Sequence, residues 1–117
     1  VSIVYVVQNQ MMADSTNGQL VPKYPSLQTQ ASKFGEVRFL LGPSASPWGL
    51  KTIIPELMQS LTTFSDEDYL LFIGNQTFFA IAGAIALGTN DGRMKILQWS
   101  RKDGGYLPIQ IDLNSPV

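Results

Sequence analysis

No cysteine and no histidine occurs among the 117 residues of this chain, and these two absences exclude more chemistry than any motif in it suggests. A single chain without them cannot build a thiol nucleophile, a disulfide, a Cys/His zinc site, a Ser-His-Asp triad or an imidazole acid–base pair. Charge is scarce as well: Asp, Glu, Lys and Arg make up 15% of the residues and the formal net charge is -1. The eight Lys and Arg residues are scattered along the chain, so no basic field attracts nucleic-acid phosphates or anionic lipid. Nucleic acid is an unfavoured partner on these grounds. Internal repeats and a second composition block are missing too, and residues 1–117 read as one domain large enough to bury a core. No disulfide framework points to secretion. The opening VSIVYVVQNQ has neither a basic leader nor a small-residue cleavage site, so a cytoplasmic setting is expected.

What the chain does have is apolar residues, 44% of the total, in short runs. Ile3 to Val7 and Glu36 to Leu41 read as strands, with a structureless loop from Met11 to Pro25 and a helix from Leu27 to Phe34 between them. Ser26 is placed to cap that helix, and Gly35 to end it in a left-handed conformation. A second helix is expected over Ile53 to Phe64 from the stripe Ile54, Leu57, Met58 and Leu61, with Thr52 as its cap and Pro55 in its first turn. Arg93 to Trp99 and Tyr106 to Leu113 form a hairpin around Asp103-Gly104, and Pro108 confines the last strand to a sheet edge. Asn114 to Val117 reads as a mobile tail.

Residues Tyr69 to Leu87, YLLFIGNQTFFAIAGAIAL, are long enough for a hydropathy window to register a membrane span. Asn75, Gln76 and Thr77 sit near its middle, however, and burying them in lipid without partners costs several kcal/mol. A strand from Tyr69 to Ile73, a turn at Gly74-Asn75 and a buried helix over Phe78 to Leu87 fit better, with Ala80, Gly83 and Ala84 allowing close approach to a sheet. No membrane is expected. The element order then predicts an α/β three-layer sandwich, a mainly parallel sheet of about five strands closed by a C-terminal antiparallel hairpin at its edge.

In such a sheet ligands bind beyond the carboxyl ends of the strands. Two segments are expected there, GPSASPWG (Gly42 to Gly49) and GNQT (Gly74 to Thr77). The first turn of the buried helix, Gln76 to Phe78, offers unpaired amides to an anion, and Ser44 and Ser46 add hydroxyls. The candidate ligand-binding set is Ser44, Ser46, Gly74, Asn75, Gln76 and Thr77, for a small phosphate-bearing ligand or nucleotide. Against it stands the plainer role of the same residues, Gly74 as a tight strand exit and Asn75 as a helix cap. Neither a Rossmann glycine pattern nor a P-loop lysine is present. Asp66, Glu67 and Asp68 are the only acidic cluster; at the amino end of a strand they read as a solvated turn. No metal site, no cofactor and no catalytic residue is implied. Trp48, with Tyr24 and Trp99 behind it, is a candidate anchor for a protein partner.

VYVVQNQ, FGEVRFLL, DEDYLLFIGN followed by AIAGAIAL, and GRMKILQWSRKDGGYLPIQIDL together resemble a group of small α/β proteins encoded by tailed bacteriophages of the podophage and cyanophage type. The resemblance covers most of the chain and implies a protein made inside an infected bacterium; it carries no activity and no functional residue. The reading that follows is a non-enzymatic phage accessory protein that binds a protein partner or itself, with the phosphate-ligand binder and a virion structural subunit as alternatives.

Overall fold

A computed structural model describes residues 1–114. Seven strands and three helices follow in the order β1 (Ile3–Gln8), β2 (Met11–Ala13), β3 (Leu20–Pro22), α1 (Leu27–Ala31), β4 (Glu36–Leu41), α2 (Leu50–Ser60), β5 (Tyr69–Leu71), α3 (Gln76–Thr89), β6 (Arg93–Ser100) and β7 (Gly105–Asp112). Five strands form one sheet in the order β4-β1-β5-β6-β7, parallel except for the final β6–β7 pair. The expected architecture is present. From β1 the chain moves one way to β4, then crosses back over β1 to reach β5. Crossovers of one hand in opposite directions place their helices on opposite faces. One apolar layer accordingly gathers Tyr5, Val7, Leu57, Leu61, Leu70 and Phe78, and the other Val4, Val6, Leu27, Ala31, Leu71 and Leu97. Each large side chain withdrawn from water in these layers stabilises the fold by roughly 1.5–3 kcal/mol.

Several boundaries differ from expectation for identifiable reasons. The Met11–Pro25 segment is not structureless: β2 and β3 pair as a separate antiparallel hairpin, with Asn17 and Gly18 at its tip and Gly18 at φ +72°. Helix α1 stops at Ala31, and Ser26 makes no side-chain cap bond. Gly35 is not left-handed; a Cβ there would run into the Ser2 carbonyl, so close approach is what demands glycine. Helix α2 starts at Leu50, with Gly49 and not Thr52 at the N-cap, because Leu50 joins its apolar stripe; Pro55 therefore lies in the second turn. Helix α3 starts at Gln76, directly after Asn75, and its buried small residues are Ala82, Gly83 and Ala86, while Ala80 and Ala84 face solvent. Among the described residues no helix is long and apolar enough to cross a membrane. Of the predicted tail, Ser115 to Val117 lies outside the described residues.

The two sheet edges are both unsuited to strand addition. On β4 the outermost strand carries the Glu36–Arg38 ion pair. On β7, Pro108 stands opposite Leu97. With no donor of its own it must occupy a non-hydrogen-bonded position, so its ring faces outward at mid-strand.

Candidate functional site at the carboxyl edge of the sheet

The chain direction reverses between β1 and β5, where an open α/β sheet ordinarily leaves a crevice. Here that crevice is filled by Gln8, the last residue of β1, which is 3% exposed. Its Nε2 donates to the carbonyls of Gly42 and Ala45, both at 3.2 Å, and its Oε1 accepts from the Asn75 amide at 3.0 Å. One side chain thus fastens the exits of β4 and β5 together. Gly74 is shaped by it: the residue sits at φ +117°, and a Cβ there would overlap the Gln8 side chain. Asn75 caps α3, its Oδ1 accepting from the Thr77 amide at 2.9 Å, and its carbonyl accepts from Phe78. Three of the four amides at the start of α3 are therefore engaged within the chain.

Beside this plug runs an open groove of about 860 Å³ between the first turns of α2 and α3. Gln76 and Thr77 line one wall, Lys51 and Thr52 the other, and neither first turn contains an acidic residue. Trp48 stands at its lip, 93% exposed. The loop that carries Trp48 is held by the two Gln8 bonds, by the Gly49 amide on the Ser46 carbonyl at 3.0 Å, and by the Trp48 amide on Ser46 Oγ at 3.2 Å. Ser46 is a brace for the loop, and Ser44 is exposed at its outer surface.

Tyr24 and Trp99 lie elsewhere, and together. They line a cleft of about 470 Å³ at the carboxyl ends of β5 and β6, on the α1 side, which shares no lining residue with the Trp48 groove. Tyr24 is 44% and Trp99 42% exposed, and the Trp99 ring meets Tyr106 edge-on at 5.1 Å between centroids. Burial, and then the nearby Tyr24, hold the Tyr106 hydroxyl above the usual tyrosine pKa. Phe72 and Lys23 are also among its lining residues.

The acidic cluster is a structural tie, and only partly solvated. Asp68 is buried, accepting from the Ile3 amide at 3.0 Å and from the Ser65 amide at 2.9 Å, which fastens the start of β1 to the turn before β5. Asp66 binds Asn90 at 2.8 Å and Arg93 at 3.1 Å, and these contacts hold its carboxyl below the usual carboxylate range. Among the described residues no group of three Asp or Glu is placed to hold a metal ion. Sequence reasoning missed Gln8 and Tyr106. A glutamine ending a strand carries no signal until strand neighbours are known, and Tyr106 reads as an ordinary strand aromatic.

Residues 2–113 match the family model described as Phage Pam3 gp32-like protein, which covers nearly the whole chain, and the protein belongs to that family. No curated protein and no solved structure matches it.

Proposed function

We propose that this phage-family member acts without catalysis, in the cytoplasm of the infected host, by binding a protein partner or a second copy of itself through the surface around Trp48. The observation that carries the reading is a nearly fully exposed tryptophan on a loop already fixed by hydrogen bonds at both ends. An anchor of this kind adds a large apolar contact with little ordering cost on association. Wild-type protein should then self-associate in sedimentation, or retain one defined partner when captured from infected cells. Trp48→Ala should abolish that association while leaving the fold intact by circular dichroism. A monomer with no Trp48-dependent partner under both conditions sinks the reading.

The same groove favours a second reading, a small phosphate-bearing ligand, because two helix starts and Lys51 converge on it with no carboxylate in either first turn. Counting against this reading, the amides of Asn75, Thr77 and Phe78 already have partners. Inorganic phosphate or a nucleotide panel should raise the melting temperature, and Lys51→Ala should remove the rise; an unchanged melting temperature throughout excludes this ligand. A third role, as a virion subunit, is tested by mass spectrometry of purified particles.

A further inference from the structure

The second cleft exists because a rung is missing from the sheet. The Gln8 amide donates to the Ile73 carbonyl at 2.9 Å and the Ile73 amide to the Leu71 carbonyl at 3.0 Å, so β5 ends in a three-residue turn centred on Phe72, whose own N–H and C=O are turned to the other side, toward β6. On β6, Leu97 lies opposite Pro108, which lacks a donor; Leu97 and its alternate Trp99 therefore turn their backbone groups away from β7, toward β5. The two strands are joined at Leu70–Ile96 and then part. Among the described residues no backbone partner outside the strand ladders reaches the Phe72 amide, and the Trp99 carbonyl accepts from the Gln98 side chain at 3.5 Å. The backbones of Phe72 and Trp99 thus border a slot that Tyr24, Trp99 and Tyr106 also line. Its volume lies within the range of small-ligand pockets, about 300–1,000 Å³.

We propose that this cleft binds a planar, uncharged heteroaromatic ring of the nucleobase class, stacked on Tyr24 and Trp99 and hydrogen-bonded along its edge by the backbone of Phe72 and Trp99. An apolar ligand would leave those backbone groups unpaired, and an acyclic polar one would leave the aromatic walls unused. Charge selects in the same sense: among the described residues Lys23 is the one charged residue lining the cleft, and no carboxylate does. A phosphate carried by the ring is therefore accommodated at the Lys23 rim, and a cationic ring is disfavoured. The site is separate from the Trp48 surface and stands or falls independently of it.

The chain has two tryptophans, so in a Trp48→Phe background Trp99 alone reports. Titration with adenosine, guanosine, cytidine and uridine monophosphates should give saturable quenching of Trp99 by at least one of them, with none from ribose 5-phosphate. Tyr24→Ala should weaken that binding roughly tenfold, the loss expected for one base–aromatic stack, and Tyr24→Phe should restore it. In amide NMR spectra the Phe72 and Trp99 signals should be among those that move. A short single-stranded oligonucleotide binding no tighter than the monophosphate assigns the site to free nucleotide; much tighter binding keeps the base pocket and assigns it to a strand. No saturable quenching by any base, equal binding of ribose 5-phosphate, or quenching that Tyr24→Ala leaves unchanged overturns the proposal.

Discussion

Two neighbouring gaps at the carboxyl edge of one sheet have opposite fates. Between β1 and β5 the backbone ladder runs out and a side chain continues it: Gln8 accepts from the Asn75 amide and donates to the Gly42 and Ala45 carbonyls of the loop after β4, and the space closes. Between β5 and β6 the ladder runs out at Leu70–Ile96 and nothing continues it, so the space stays open and its walls are aromatic. The usual ligand position of this architecture is thus occupied by the protein itself, and the open position lies one strand further along. The side-chain plug and the proposed binding cleft therefore occupy different gaps, and substitutions should separate stability from binding.

The largest effect is expected at the closed gap. Gly74→Ala forces a β-carbon into the Gln8 side chain at a positive φ, and Gln8→Leu leaves the Asn75 amide and two carbonyls without partners. Each should lower unfolding free energy by roughly 2–4 kcal/mol, read as a lower urea midpoint at unchanged slope. Gln8→Leu should also speed hydrogen exchange at Trp48 and Gly49. A midpoint close to wild type for both variants would break the comparison. At the open gap the expectation is smaller: Trp99→Leu removes the edge-on contact with Tyr106 and should cost about 1 kcal/mol, while Tyr24→Ala should change stability by less than about 0.5 kcal/mol.

The smallest effect is a dependence on pH. Tyr106 has a folded-state pKa raised above its unfolded value, so its contribution to stability is complete below the unfolded pKa, near 10, and is lost as pH rises through the folded one. Ultraviolet titration should show a late-ionising tyrosine that Tyr106→Phe removes, and the same variant should flatten the fall in melting temperature above that pH. An early-ionising Tyr106 would mean the cleft is wetter than its walls suggest.

Much of the architecture was legible because single segments encode it. Ile3 to Val7 and Glu36 to Leu41 announce strands by composition, Asp103-Gly104 announces the last hairpin, and the Gly74-Asn75 step marks where extended backbone becomes helix. The β2–β3 hairpin was obscured by strands of only three residues each, too short for alternation to register, although Asn17-Gly18 was its signal. Tyr69 to Ile73 reads as one continuous strand. That it stops pairing with β6 after Leu70 depends on how two distant segments splay, which no local pattern records. The same holds for the candidate site: Tyr24 and Trp99 each read as a secondary candidate anchor for a partner, but their meeting at one cleft, and their separation from Trp48, is a product of the fold.

The proline at the middle of the last strand has a consequence for the molecule in a crowded cell. Because its ring occupies the outward spot where a neighbouring polypeptide would need a donor, two copies pressed together along β7 cannot form an unbroken ladder there. Contact along that edge falls to side chains, which a single substitution can tune or erase, and high local abundance carries less danger of fibrous precipitation through it.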